Sequence, residues 1–169
     1  MADNIAASAE QKQHQLLIGE EEYEAAIDNV IAHAERALHI FDSDLSAGGY
    51  SNLKRFEALR DFLAQSRGNR LVLVLHETDY LTARCPRLMN LLKTYGHAIS
   101  IQQTAEHARI ASDPFIIADD AHYVHRFHSD GMRFLLALHD HAGARQLQER
   151  FDQLLEMSAP AVFATTTGL

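Results

Sequence analysis

With 169 residues, 47% of them hydrophobic and 22% charged, and with only 8 Gly and 3 Pro, the chain is long enough for one domain with a real core and too apolar to be disordered. Its single cysteine, Cys85, excludes an intramolecular disulfide framework and a zinc site built mainly from thiolates. No apolar run approaches the roughly 18 to 20 residues of a membrane span, and the opening MADNIAASAEQKQHQ has neither the basic start nor the apolar stretch of a signal peptide. The expectation is a cytoplasmic protein with no membrane insertion. The net charge of -8 is uneven, because residues 51–109 carry nine basic and five acidic groups while both flanks are acidic. An acidic chain argues against nucleic acid as a partner. The basic middle third offers a face to an anion, or simply solvated helix surfaces.

Residues 1–17 are polar and without period, which predicts a flexible leader ahead of a single domain over 18–169. From Glu20, Tyr23, Ile27, Val30, Ile31, Ala34 and Leu38 recur at helical steps, and Glu20, Glu21, Glu22 and Glu24 favour the positive end of a helix. Leu38 to Phe41 then reads as a strand, and Asp42 to Ser51 as a loop marked by Gly48 and Gly49. A second helix is predicted over about 52–65, with Leu53, Phe56, Leu59 and Leu63 inward. The unbroken run Leu71–Leu75 suits a central strand covered on both faces. Pro86 fits the first turn of a third helix that Gly96 ends. Residues 98–102 make a strand and 104–113 a charged loop. Residues 114–118 and 122–127 flank the short turn Asp119-Asp120-Ala121, which predicts an antiparallel hairpin. Arg133 to Leu138 fits a strand better than a helix, and Ala142 to Met157 is a last amphipathic helix. The fold class is therefore α/β, a sandwich whose mixed sheet has a parallel core and an antiparallel hairpin.

Few constellations carry chemistry. Of the 11 histidines, His122, His125 and His128 cluster, but the period of two separates His122, Arg126 and His128 from His125. The three cannot converge on a metal from one strand, so no metal site is expected. Asp42 and Asp44 lie at a strand end, yet the Asp and Lys that a phosphoacceptor site also needs are missing, which leaves turn chemistry. There is no Gly-Lys-Ser/Thr phosphate loop and no Gly-x-Ser-x-Gly elbow. Cys85 stands between Arg84 and Pro86-Arg87, a setting that lowers a thiol pKa if exposed, but a half-buried bystander is the simpler reading.

The helix-strand opening EEYEAAIDNVIAHAERALHIFDSDL, the following helices and strands, and DPFIIADDAHYVHR resemble one half of the phospholipase D-like fold over roughly residues 20–157. The resemblance implies a phospholipase D-like sandwich with helices on both faces. In that superfamily the strand before the hairpin carries His-x-Lys-x4-Asp; counting back from Asp119 puts Ser112 at the nucleophilic His and Pro114 at the Lys. A near miss, His107-x-Arg109-x3-Asp113, has one residue too few before its Asp. The segment from Ala144 to Leu155 and the ending TTTGL resemble a narrower group, uncharacterised bacterial phospholipase D-like domains often found beside or fused to an N-acetyltransferase.

What the resemblance implies is a non-catalytic binding or interaction module without cofactor. Ser112, Pro114 and Asp119 are its vestigial motif positions, and His107, Arg109, Arg126 and His128 are candidates for binding an anionic ligand. One half per chain implies a homodimer, and the narrower group implies a separate acetyltransferase-type partner. Two alternatives stay open: a phosphodiesterase or phosphotransferase using His107, His125 or His128 with the arginines, and a purely structural homodimeric module.

Overall fold

The computed structural model of the protein describes residues 10–164, so the first nine residues of the expected leader and the TTTGL ending lie outside the described residues. One eight-stranded mixed sheet organises the rest, in the order β1-β7-β6-β5-β2-β3-β4-β8. Its strands are β1 (Gln13–Ile18), β2 (Ala37–Asp42), β3 (Arg70–Leu75), β4 (Ile99–Thr104), β5 (Phe115–Ala118), β6 (His122–Arg126), β7 (Arg133–Leu138) and β8 (Ser158–Val162). β2, β3 and β4 are parallel, and every other pairing is antiparallel. Helices α1 (Glu20–His33), α2 (Leu53–Gln65), α3 (Asp79–Arg84) and α4 (Pro86–Thr94) belong to one layer, and α5 (His141–Glu156) covers the other face. No helix among the described residues is long and apolar enough to cross a membrane.

The alternation of β3 shows why the apolar run predicted a two-sided strand. Leu71, Leu73 and Leu75 join the core under α1, α2 and α4, while Val74 and the partly buried Val72 face α5. The hairpin forms as expected: Asp119 and Asp120 are both left-handed, at φ 54° and 53°, and the Ala121 N–H closes the turn on the Ala118 carbonyl at 3.0 Å. That double left-handed turn matches strand twist, and Asp tolerates it better than most side chains.

Several expectations need correction. Residues 13–17, assigned to the leader, form most of β1 against β7, because β7 would otherwise be an open edge. Helix α1 ends at His33, short of Leu38, because the Asp119 carboxylate collects the backbone N–H groups of Glu35, Arg36 and Ala37 at 2.6–2.9 Å. On α2 the buried stripe is Arg55, Leu59, Phe62 and Leu63, and Leu53 is half exposed. Asn52 caps this helix by accepting from the Arg55 N–H, which rotates Leu53 off the core face. Cys85 is fully buried, and burial pushes its thiol up to about 11, opposite to a reactive cysteine. The strand β8 and the short helix α3 were not anticipated.

β1 and α5 are tied together by Asp140. Its carboxylate accepts from the Tyr123 hydroxyl at 2.7 Å, His14 Nε2 at 2.7 Å and the Gly143 N–H at 3.2 Å, with Lys12 Nζ at 3.3 Å. Burial alone would raise the acid, but these donors overcome it and hold the Asp140 carboxyl far below the usual range. A folded carboxyl more acidic than the unfolded one, near about 3.9, stabilises fully above that value, and the contribution is lost as pH falls below it. Asp140→Asn is therefore expected to cost about 2 kcal/mol at neutral pH. The gap from wild type should shrink toward pH 2 in urea melts; a gap that is equal at both ends would contradict this account.

Candidate functional site

The carboxyl ends of parallel strands are where open α/β sheets take ligands, and here β2 and β3 end beside a cavity of about 90 Å³. Its walls include Ser43, His76, Arg109, Ser112, Pro114 and Ser129, over a floor formed by Phe41. Two loops meet there: the Ser129 N–H donates to the Ser112 carbonyl at 2.6 Å, and the Arg126 N–H donates to the Pro114 carbonyl at 2.9 Å. At roughly 30 Å³ per water the space holds a few waters or one small anion.

Three serines and one arginine line this space, a composition that suits an acceptor-rich ligand. Arg109 Nη1 donates to Glu77 at 2.6 Å, with both side chains partly in solvent. His76 is nearly buried and fully committed. Its Nε2–H donates to the Ala111 carbonyl at 2.6 Å, and Nδ1 lies 2.7 Å from the Thr104 hydroxyl. A carbonyl only accepts, so Nε2 carries hydrogen and Nδ1 accepts from Thr104 in the neutral ring. No lone pair is left to take a proton from Ser112.

The other positions singled out from sequence disperse. Asp119 lies at the opposite end of β5 from Pro114, about 17 Å away at strand rise, where it binds the chain entering β2. Arg126 is buried on the α1 side, and its guanidinium serves the Ser129 and Gly131 carbonyls and lies 5.4 Å from the Tyr23 ring. It therefore clamps the β6–β7 loop, and offers no free cation to a ligand. His107 is exposed on a single 3-10 turn, and His128 accepts from the Asp130 N–H in the loop. His125 donates to Asp113, which Arg150 also grips. Burial works to raise the Asp113 carboxyl, but the bonds and charge of His125 and Arg150 hold it below the usual range. None of His107, His125 and His128 lines the cavity. Asp42 faces the α1–α2 layer and caps the Asp44 and Leu45 N–H groups, so its turn role holds, and burial pushes its acid up to about 6.

Sequence reasoning missed the packing of His33, His122 and His139 at the other end of the strands, away from the cavity. His122 packs 4.9 Å from His33 and 4.6 Å from His139, measured between ring centroids. Burial first, then the two neighbouring imidazoles, push His122 down to about 4, so the ring is neutral at physiological pH. Its Nδ1 accepts from the His139 N–H, which places its hydrogen on Nε2 and leaves no lone pair for a cation. Among the described residues no group of three or more His, Cys, Asp or Glu is arranged to hold a metal ion.

The sheet order, the hairpin and the cavity position define a phospholipase D-like α/β fold. The chain superposes on Nuc, a phospholipase D family member from Salmonella typhimurium, with a TM-score of 0.66 at 13% identity, covering 89% of this chain and 99% of that one. NucT from Helicobacter pylori gives 0.60 at 13% identity, covering 89% and 100%. TrmBL2, an archaeal chromatin protein, gives 0.65 at 10% identity, covering 88% of this chain and 55% of that one. At such identities these likenesses speak for the fold alone. The chain belongs to the family described as Domain of unknown function (DUF7931), which it matches over residues 19–162. No curated protein matches it.

Proposed function

We propose that this protein is a non-catalytic phospholipase D-like binding module, cytoplasmic and paired as a homodimer, whose cavity beyond β2 and β3 receives a small anionic group. One observation carries this reading: Ser112 and Pro114, the residues at the superfamily's nucleophile and cation positions, line a small cavity rimmed by Arg109, and the histidine beside them has both nitrogens occupied. A hydroxyl without a base does not attack phosphorus, whereas hydroxyls and a guanidinium are good phosphate ligands. The narrower sequence resemblance adds an acetyltransferase-type protein as a separate partner.

The test is a titration of isotopically labelled protein with inorganic phosphate, followed by amide resonances, with chloride as the control. Phosphate is expected to shift Arg109, Ser112 and Ser129 along one saturable curve. Arg109→Ala is expected to weaken binding about tenfold, the effect of one charge-assisted hydrogen bond. No saturable shift at those residues, or equal affinity in the variant, would reject the anion site.

A further inference from the structure

At the end of the strands opposite Ser112, the residues leading into β2, the Asp119–Asp120 turn and α5 enclose a second cavity, of about 380 Å³. Its floor is made by His39 and Ile117, cross-strand neighbours on β2 and β5. Arg36, Asp119, Asp120 and Gln148 stand around it.

His39 is held there in one orientation. Its ring lies flat on Phe151, with centroids 4.7 Å apart and planes 4° from parallel. Gln148 fixes the ring's far side. The Gln148 Nε2 donates to the Asp152 carboxylate at 2.8 Å, which turns its Oε1 toward His39 Nδ1 at 2.7 Å. An amide oxygen only accepts, so Nδ1 carries the hydrogen and Nε2 keeps a lone pair in the neutral ring. Among the described residues nothing donates to that lone pair. An imidazole fixed by stacking and through its other nitrogen is an oriented acceptor, the arrangement that supports histidines which meet a ligand.

The charged groups around His39 are also uncommitted. Arg36 and Asp120 are exposed, and among the described residues they form hydrogen bonds only through their backbones. Asp119 spends Oδ1 on two N–H groups but Oδ2 on one, which leaves Oδ2 a lone pair. The cavity therefore offers three acceptors, His39 Nε2, Asp119 Oδ2 and the Asp120 carboxylate, and one cation, Arg36. An ammonium group has three donors and no acceptor, and a guanidinium matches a carboxylate with two parallel bonds. Two carboxylates against one guanidinium disfavour a bare anion, and Arg36 works against a bare cation. A ligand that carries both charges satisfies every group.

We propose that this cavity binds a small free α-amino acid, with its ammonium among His39, Asp119 and Asp120 and its carboxylate on Arg36. At roughly 30 Å³ per water the space holds about a dozen waters, room for such a molecule with a short apolar side chain over Ile117. The site is separate from the anion cavity at Ser112, so each stands or falls alone.

The experiment follows amide and imidazole resonances of isotopically labelled protein while L-alanine, methylammonium chloride or sodium acetate is added at constant pH and ionic strength. L-Alanine is expected to shift Arg36, His39 and Asp120 along one saturable curve, and each half-ligand to bind at least about tenfold more weakly. Arg36→Gln should weaken L-alanine about tenfold without weakening methylammonium. Asp120→Asn, which the left-handed turn tolerates, should weaken both. His39→Phe keeps an aromatic ring on Phe151, removes the lone pair and should also weaken both. No saturable shift with L-alanine would overturn the site. Equal affinity for methylammonium or for acetate would make it a plain cation or anion site and overturn the amino-acid assignment. L-Alanine binding that none of the three variants weakens would place the ligand elsewhere and overturn it as well.

Discussion

Replacing Arg55 with methionine is expected to destabilise the fold by about 3 to 5 kcal/mol, roughly 10 °C of melting temperature for a chain of this size. Arg55 is 1% exposed, yet it is a cation in the first turn of α2. Its Nε donates to Asp28 at 3.1 Å, Nη1 to the Gly48 carbonyl at 2.6 Å and Nη2 to the Glu24 carbonyl at 3.1 Å, and the guanidinium lies 4.9 Å from the Tyr50 ring. One side chain thereby joins α1, α2 and the loop that connects β2 to α2. Methionine keeps the apolar stem and removes every donor, leaving two carbonyls without this partner and the partly buried Asp28 carboxylate with only the exposed Lys54, 3.2 Å away. Arg55→Lys should recover only part of the loss, since one ammonium cannot span the fork. Urea unfolding with an unchanged slope is the measurement, and a shift below about 1 kcal/mol for methionine would show that water replaces the clamp.

Arg55 also shows where the sequence stops being legible. Period marks Leu59 and Leu63 as inward but counts an arginine as outward, and only the carbonyls of a distant loop make Arg55 a core residue. The same limit explains the two strands that were missed. QHQLLI and SAPAV have weak strand signals of their own, and each becomes a strand because β7 or β4 offers an edge. By contrast, Leu71–Leu75 and the paired Asp turn were readable, because burial on both faces and a left-handed turn leave local marks. At the candidate site, alternation correctly separated Arg126 from His125 but gave no account of what lies over each face. Arg126 meets Tyr23 and loop carbonyls, and Arg109 meets Glu77. Asp119 was found through a motif spacing, yet its carboxylate is occupied by three N–H groups from residues more than 80 positions away.

Purified protein is expected to show no saturable turnover of a bis-aryl phosphodiester or of a phospholipid by the phosphohistidine route that the sequence resemblance to the phospholipase D-like superfamily implies. That route needs a nucleophile in line with a bound phosphate and a cation on the developing charge. Pro114 supplies neither charge nor a backbone donor, and losing one such electrostatic partner costs roughly 3 to 4 kcal/mol, about 100- to 1,000-fold in rate. Ser112 would have to act with its hydroxyl proton in place, since His76 is held by Thr104 and the Ala111 carbonyl, and no other histidine lines the cavity. An unactivated hydroxyl is a poor nucleophile near neutral pH, and a serine–phosphate adduct, once formed, would have no base to direct water at it. Turnover that survives Ser112→Ala but disappears with His107→Ala would reverse the conclusion and make the exposed turn before the cavity the place where chemistry begins.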